Sequence, residues 1–246
     1  MNQPDETGKV VGVLGGMGPD ATVDFMRKVI AMTPASEDQD HIRMLVDHNP
    51  KVPSRQNPGQ REAAGVRRAL ADMAAGLEAA GADFLVMVCN TAHAFDDEAR
   101  RAVAIPFISI VRETVRAIRT RHPGAHAAGI MATPALLDAG LYQEALAASG
   151  IEPLPVHGAS RAALMQLIWQ VKAGDQGRAV ADGMAAIARQ LIGEGADVII
   201  AGCTEIPLLL AQDTLAVPLL SSTDELARRT VELALGRAPL PPPDTA

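Results

Sequence analysis

The segments FLVMVCNTAH (residues 84–93) and VIIAGCTEIP (residues 198–207) contain both cysteines of the chain, Cys89 and Cys203. Each segment is an apolar run typical of a buried strand, and each cysteine ends the run and opens onto a threonine. Both runs follow a Gly-Ala-Asp triplet, and each cysteine lies eight residues after that glycine. The two segments therefore align without a gap, which indicates that the chain repeats itself around a paired thiol site.

The repeat extends beyond the cysteines on both sides. Downstream, AIPFIS (residues 104–109) matches AVPLLS (residues 216–221) with an offset of 112 residues, against 114 for the cysteines. Upstream, the segment GVLGGMGP, which begins at Gly12, is more weakly similar to GIMATPA, which begins at Gly129, 117 residues later. Offsets that drift by so few residues indicate two related halves that differ by small loop insertions.

Composition limits the classes of protein to consider. The chain has 246 residues, 48% hydrophobic and 21% charged, which is enough for one large core or two small ones and too apolar for a disordered chain. The net charge of −7 is the opposite of the excess positive charge that favours binding to nucleic acid or to an anionic membrane surface. We therefore expect a small-molecule ligand rather than nucleic acid or membrane.

The N-terminal sequence and the cysteine content suggest a cellular compartment. MNQPDETGKV is polar and acidic, so no signal peptide is readable. No apolar window reaches the roughly 18 residues of a membrane span. We expect a cytoplasmic protein with reduced thiols, where a Cys89–Cys203 disulfide is disfavoured. The cysteines and histidines lack zinc-finger spacing, and no metal is expected.

Strand-like and helix-like patterns alternate along the chain. Strands are predicted at residues 9–14, 43–47, 84–88, 127–131, 152–156 and 197–201. Helices are predicted at residues 19–32, 60–80, 96–103, 109–120, 134–149, 160–173, 176–193, 206–211 and 222–235. Apolar strands that alternate with helices are typical of parallel sheets buried on both faces.

The fold class predicted is α/β, with two pseudo-symmetric doubly wound domains. Each would contain a mostly parallel sheet flanked by helices, with the active site in the cleft between the domains. The first domain is predicted to comprise residues 1–112 and 223–246, and the second residues 113–222. The proline-rich tail, residues 238–246, is predicted to be disordered.

In open parallel sheets, ligands bind outside the carboxyl ends of the strands. Both cysteines fall there, and a pseudo-twofold axis would bring them to opposite walls of one cleft. A helix N-terminus after each cysteine would favour the thiolate and lower a thiol pKa that is about 8.5 when unperturbed. Asn90, Thr91 and Thr204 would supply hydrogen-bond donors for a carboxylate held between the thiols.

This arrangement suits a two-base racemisation. One thiolate would take the proton from a carbon between the walls, and the opposite thiol would deliver a proton to the other face. Because that carbon is a very weak acid, the site must stabilise an enolate-like carboxylate with fixed donors and exclude water.

Three sequence blocks also carry a resemblance. VGVLGGMGPDAT, VCNTAH and AGCTEIPLL are similar to the characteristic blocks of the aspartate/glutamate/hydantoin racemase superfamily, most closely its cofactor-independent aspartate racemases. The resemblance implies a two-domain fold, usually a homodimer, that interconverts amino acid enantiomers without pyridoxal phosphate or metal. It also implies that Cys203 serves the L-face and Cys89 the D-face.

Shorter matches suggest residues that bind the substrate. Arg55 and Asn49 lie in a segment, HNPKVPSRQ, that resembles the family's Asn-Pro…Pro-x-Arg, and Lys172 resembles its second-domain lysine. In the family these cations are associated with an acidic side chain, although each could be a solvated surface charge. His48, Ser54 and Gln56 depart from the aspartate-type segment and put the side-chain specificity in doubt.

The Gly-rich turn LGGMGP lacks the Lys-Ser/Thr of a phosphate-binding loop. We expect Gly16 and Met17, with Thr133 in the matching turn, to bring backbone amides to the substrate carboxylate, the alternative being ordinary turn chemistry. His93 is expected to support the Cys89 loop rather than transfer protons. Glu205 could orient the second wall or act as a carboxylate at a helix N-terminus.

Other functions stay open at this point. The resemblance also covers enzymes that use one cysteine, such as maleate isomerases and arylmalonate decarboxylases. A small-ligand binding protein is a further alternative, although a sensor has no need for two matched thiols. Aspartate is the favoured substrate, and glutamate or a broader set of amino acids is not excluded by the sequence.

Overall fold

The computed structural model describes residues 8–56 and 59–243. Its first half contains a parallel sheet of four strands in the order β2-β1-β3-β4. The strands are β1 (Val11–Gly15), β2 (Met44–His48), β3 (Phe84–Met87) and β4 (Phe107–Ile108). Strands β1 and β3 are wholly buried because helices cover both faces of the sheet, which explains their uninterrupted apolar sequences.

The second half repeats this sheet strand for strand. Its order is β6-β5-β7-β8, again all parallel. The strands are β5 (Ala127–Met131), β6 (Glu152–Pro155), β7 (Val198–Ala201) and β8 (Leu219–Ser221). The predicted α/β fold with two pseudo-symmetric parallel sheets is therefore confirmed.

Helices flank both sheets, and short 3-10 turns follow both cysteines. The helices are α1 (Pro19–Met32), α2 (Gln60–Ala79), α3 (Asp97–Arg101), α4 (Ile110–Arg121), α5 (Pro134–Ala139), α6 (Leu141–Ala147), α7 (Gly158–Lys172), α8 (Arg178–Gly193) and α9 (Ser222–Ala234). The last helix, α9, packs against α1 and α4. One hydrophobic cluster contains buried residues of both halves, including Phe25 and Ile199. The predicted domain boundaries stay a prediction.

Several local predictions were wrong. The single helix expected at residues 134–149 is two helices, because Gly140 adopts a left-handed conformation with φ of +72°. The helix expected at residues 206–211 is only the 3-10 turn Ile206–Leu208. Strands β4 and β8, which coincide with the AIPFIS and AVPLLS repeat, were not predicted because each has only two or three residues.

The ends of the described chain are joined to the core. The Lys9 amide donates to the Ala234 carbonyl at 2.9 Å. Beyond α9, Ala238 and Leu240 pack against the hydrophobic cluster, while residues 244–246 lie outside the described residues. The disorder predicted for the tail stays a prediction. None of the helices in residues 8–56 and 59–243 combines the length and the apolar character that a bilayer crossing requires.

Candidate active site

Cys89 and Cys203 line one cleft of about 710 Å³, including open space at its mouth. Cys89 lies two residues after β3 and Cys203 two residues after β7, so each half contributes one thiol from the carboxyl end of an equivalent strand. Both thiols are free and 6% exposed. The other residues singled out from the sequence that line the cleft are Met17, Arg55, Asn90, Thr91, Thr133, Lys172, Thr204 and Glu205.

Gly16 and Asn49 do not line this cleft. The Gly16 amide donates to the Thr22 hydroxyl at 2.8 Å, so it is not available to a substrate carboxylate as expected. A Cβ on Gly16 would lie 2.5 Å from the backbone nitrogen of Asn49, and the φ of +85° also favours glycine. The side-chain oxygen of Asn49 accepts from the Lys51 amide at 3.0 Å. Gly16 therefore allows the two loops to approach closely, and the Asn49 side chain stabilises the turn of its own loop.

His93 is a structural bridge behind Cys89. Its Nδ1 donates to the Cys89 carbonyl at 2.8 Å, and its Nε2 accepts from the Ile110 amide at 3.3 Å. Because the carbonyl can only accept and the amide can only donate, the neutral Nδ1–H tautomer is required. Burial lowers the pKa of His93, which favours this neutral ring. His93 thus ties the Cys89 loop to the start of α4.

Arg55 brings a positive charge to the cleft without a carboxylate partner among the described residues. Its guanidinium donates to the carbonyls of Val52 at 3.1 Å, Pro53 at 2.9 Å and Met17 at 3.4 Å. The Arg55 Nε is buried and has no hydrogen-bond partner within residues 8–56 and 59–243. These bonds to carbonyls fix the guanidinium while its charge stays available to an anion.

Lys172, the second predicted cation, is already paired. Its Nζ contacts the Glu205 Oε1, with side-chain exposures of 28% for Lys172 and 5% for Glu205. Burial, the largest single influence, would by itself lower the pKa of Lys172, but the charge and hydrogen bond of Glu205 together with the two nearby cysteines raise it overall. Lys172 is therefore a charged group whose charge is shared with a buried carboxylate, rather than the free cation expected from the sequence.

The Cys203 thiol donates to the Glu205 Oε2 at 3.0 Å. Burial, followed by the negative charge of Glu205, raises the pKa of Cys203 well above its usual range, although Lys172 acts in the opposite direction. The expectation that a helix N-terminus lowers the pKa of this thiol was wrong. The helix after Cys203 is a single 3-10 turn, and a carboxylate stands between the thiol and that turn.

Asn90, Thr91 and Thr133 join the two halves of the chain. The Asn90 side chain donates to the Ser222 hydroxyl at 2.9 Å and accepts from the Tyr142 hydroxyl at 2.8 Å. The hydroxyls of Thr91 and Thr133 are 2.9 Å apart and hydrogen-bonded. The Asn90 side chain therefore takes part in a buried hydrogen-bond network. The hydrogen bond between Thr91 and Thr133 links the two halves at the wall of the cleft.

Sequence reasoning missed Trp169, Tyr142 and Ser222. Trp169 is the only tryptophan of the chain, lines the cleft and is 46% exposed. It lies one helical turn before Lys172 on α7, so the i to i+3 spacing from a predicted binding residue could have identified it. Tyr142 and Ser222 contact Asn90 only through the tertiary fold, and no local pattern points to them.

The described residues do not bring together three or more histidine, cysteine or acidic side chains in a group that could hold a metal ion. The polar groups of the cleft are instead two thiols, two cations, one carboxylate, two amides and several hydroxyls. Such a set can bind a small anionic or zwitterionic molecule and move protons to and from it.

A protein-family model described as Asp/Glu/Hydantoin racemase matches residues 14–230. The chain is 30% identical over 230 residues to the broad specificity amino-acid racemase RacX of Bacillus subtilis, and the match covers 92% of this chain and 98% of that protein.

Solved structures share the whole fold. Picrophilus torridus aspartate racemase is similar with a TM-score of 0.80 and 27% identity over 92% of this chain and 94% of that chain. An aspartate racemase homologue from Pyrococcus horikoshii has a TM-score of 0.76 at 25% identity, covering 92% of this chain and 99% of the other. Glutamate racemase from Francisella tularensis, at 18% identity and a TM-score of 0.69, shares the fold over 94% of this chain and 82% of its own.

Proposed function

Because this chain belongs to the Asp/Glu/hydantoin racemase family and is therefore an isomerase, we propose that it interconverts L- and D-aspartate by a two-base thiol mechanism. Glutamate and other amino acids are the competing substrates. The observation that carries the proposal is the presence of Cys89 and Cys203, one from each half, in the same cleft. A second thiol at the equivalent strand end is needed only when both faces of a carbon must exchange protons.

The chemistry balances without a further reactant. A thiolate on one side takes the α-proton from the amino acid, and the thiol on the other side gives its proton to the opposite face of the carbanion. The product leaves with inverted configuration, and the two sulfur atoms have exchanged protonation states. We propose that Cys203 takes the proton of the L-enantiomer and Cys89 that of the D-enantiomer. Since both acid/base groups are side chains, neither pyridoxal phosphate nor metal is required.

The developing negative charge has to be stabilised inside the cleft. Deprotonation turns the α-carboxylate into an enolate-like dianion, which needs fixed donors or cations in a site shielded from water. Thr91 and Thr133 supply hydroxyls at the cleft wall, and Arg55 supplies a positive charge with no carboxylate partner among the described residues. These groups are held by hydrogen bonds before substrate arrives, so little reorganisation is needed during the reaction.

Arg55 supports an acidic substrate. A second carboxylate on the substrate side chain would find in Arg55 a cation that is fixed by three backbone carbonyls. Lys172 could contribute only by sharing its charge between Glu205 and the substrate. Ser54 and Gln56 flank Arg55 in the lining of the cleft, and they are polar enough to accept a broader range of side chains.

The decisive experiment incubates the purified protein with L-aspartate in D₂O. We expect D-aspartate by chiral chromatography and α-deuterium by mass spectrometry, and a panel of L- and D-amino acids would rank the substrates. Cys89→Ser and Cys203→Ser should each lower turnover by about 10²- to 10⁴-fold. Thr214→Ser, a conservative change at an exposed 3-10 turn, serves as the control. Wild-type turnover in either cysteine variant would refute the two-base mechanism.

We also propose that the protein is a cytoplasmic homodimer. A mechanism with two free thiols requires a reducing compartment, which the cytoplasm provides. The dimer follows the family resemblance and is tested by sedimentation velocity at micromolar concentration. A single species of 25.7 kDa would contradict it.

A further inference from the structure

The two thiols have the same exposure but different polar surroundings. Cys89 and Cys203 are each 6% exposed. Cys203 donates to the Glu205 carboxylate at 3.0 Å, whereas the Cys89 sulfur makes no hydrogen bond with any described residue. Overall exposure therefore does not distinguish the two cysteines, and a difference in their chemistry is expected from the groups beside them.

Glu205 is held in place from three sides. Lys172 pairs with its Oε1, and the Thr204 hydroxyl donates to its Oε2 at 3.2 Å. On the third side Glu205 lies against Gly18, the residue before α1, where glycine is needed because a Cβ would lie 2.9 Å from the Glu205 Oε1. The bound cation favours the ionised carboxylate, which can only accept hydrogen bonds. The proton shared by Cys203 and Glu205 must then lie on sulfur.

We propose that Glu205 is a positioning residue that sets the resting protonation of the thiol pair, with Cys203 as the acid and Cys89 as the base. This inference rests on the proposed function for its catalytic meaning. In the free enzyme Cys89 would be ready to take a proton, and Cys203 would carry the proton to be delivered. On the assignment proposed above, this form accepts the D-enantiomer.

A turnover of the D-enantiomer exchanges the protons between the two sulfur atoms. The α-proton passes to Cys89, the Cys203 proton passes to carbon, and a Cys203 thiolate is left beside the Glu205 carboxylate. That pair of like charges is unfavourable, so the enzyme returns to its resting form by taking a proton at Cys203 and releasing one from Cys89. Glu205 thereby makes the two enzyme forms unequal in free energy.

The asymmetry cannot appear in kcat/KM. Two enantiomers have the same free energy in water, so the equilibrium constant is one and kcat/KM is equal in both directions. The two enantiomers can instead differ in kcat and in KM separately while the ratio stays the same. The free thiols can also differ in reactivity. Thiol reactivity is the sharper readout because it needs no substrate and follows the thiolate fraction of each cysteine.

Glu205, Lys172 and Tyr142 are titratable groups that interact with Cys203 in the described part of the chain. Glu205 opposes its ionisation and Lys172 favours it. The buried Tyr142 hydroxyl, whose pKa is raised by burial, stays neutral at any working pH. Glu205 is therefore the group whose replacement should change the thiolate fraction of Cys203 without changing that of Cys89.

The test is labelling of the substrate-free protein with iodoacetamide, quantified by mass spectrometry of the two cysteine peptides between about pH 6 and pH 9. In the wild type we expect Cys89 to react at least about tenfold faster than Cys203, because the thiolate is the form that reacts. Glu205→Gln should raise the rate at Cys203 by about tenfold or more and leave Cys89 within about twofold. The labelling of Cys203 should also shift to lower pH.

Asp20→Asn is the matched control, because Asp20 lines the neighbouring cavity beside Glu205 but makes no hydrogen bond to Cys203. It removes one negative charge and should leave the order of labelling unchanged. Equal rates at the two cysteines in the wild type would overturn the inference even if the Gln variant failed to fold. An unchanged ratio in a folded Glu205→Gln would do the same. Because labelling needs no substrate, failure of racemisation would refute the proposed function separately.

Discussion

Gly12 in β1 is a position at which one methyl group should measurably destabilise the fold. A Cβ built there would lie 2.5 Å from the Leu85 Cδ2, 2.9 Å from the Ala82 Cβ and 3.2 Å from the Leu77 Cβ. Optimal contacts between carbon atoms are about 3.5 to 4.0 Å, so the Leu85 side chain would have to move by about 1 Å. Ala82 has no rotamer to change, so its backbone would have to move as well.

Gly129 in β5 repeats this packing in the second half. Its Cβ would lie 2.6 Å from the Ile199 Cδ1, 3.0 Å from the Leu191 Cβ and 3.2 Å from the Ala196 Cβ. The three neighbours of Gly129 each lie 114 residues after the corresponding neighbour of Gly12, the same offset as between the cysteines. The close approach of helix to strand is therefore a property of the repeated unit.

We expect Gly12→Ala and Gly129→Ala each to lower the free energy of unfolding by roughly 1 to 2 kcal/mol. Overpacking a core costs about 1 to 3 kcal/mol, and the smaller entropy of the unfolded alanine chain offsets about 0.4 to 1 kcal/mol. Urea unfolding followed by circular dichroism measures both values. Gly76→Ala is the control, since Gly76 is exposed in α2 with nothing within 4 Å of its Cβ. It should instead stabilise by about 0.5 to 1 kcal/mol.

Stability at or above that of the wild type in either strand variant would refute the packing described here. A loss in one half only would refute the equivalence of the two halves.

Three further predictions concern the site. Lys172→Met should lower the free energy of unfolding, measured with urea, by roughly 2 kcal/mol, because the buried Glu205 carboxylate loses its cation. The loss is limited because solvent reaches the partly exposed pair. Adding Glu205→Gln should recover most of the lost stability. Aspartate should change the fluorescence of Trp169, the only tryptophan, in a variant that lacks Cys89 or Cys203. An unchanged spectrum at saturating aspartate would place aspartate binding elsewhere. Burial lowers the pKa of His93 below 6.5, so its stabilising contribution is complete above about pH 6.5 and is lost as the pH falls through the lowered value. His93→Gln should flatten that loss, whereas the exposed His41→Gln should not.

The repeat predicted the fold and brought the two thiols together because strand packing and strand-end geometry follow from local sequence. Strand β8 was not predicted although the AVPLLS repeat that contains it was visible. Three residues are too few to show the hydrophobic periodicity of a strand. The break at Gly140 was missed because good helix formers lie on both sides of it.

The electrostatics of the site depended on contacts that sequence does not encode locally. Lys172 and Glu205 are 33 residues apart, and their pairing is created by the packing of α7 beside the Cys203 loop. A rule based on helix N-termini therefore gave the wrong direction for the pKa of Cys203. Sequence identified the thiols and the charged groups of the cleft, and only the fold shows which of them neutralise each other.

The place where the two halves differ is as informative as their repeat. Two residues after the cysteine, the first half has Thr91, a neutral hydroxyl bonded to Thr133, and the second half has Glu205, a buried carboxylate bonded to Cys203. A two-base racemase needs two thiols in equivalent geometry but in opposite protonation states. Repetition of the strand and turn supplies the equivalent geometry, while a fully symmetric site would give both thiols the same tendency to ionise. In the proposed mechanism, the exchange of a neutral group for a charge at this one position would make the two sulfur atoms unequal, with Cys203 the one that holds the proton at rest.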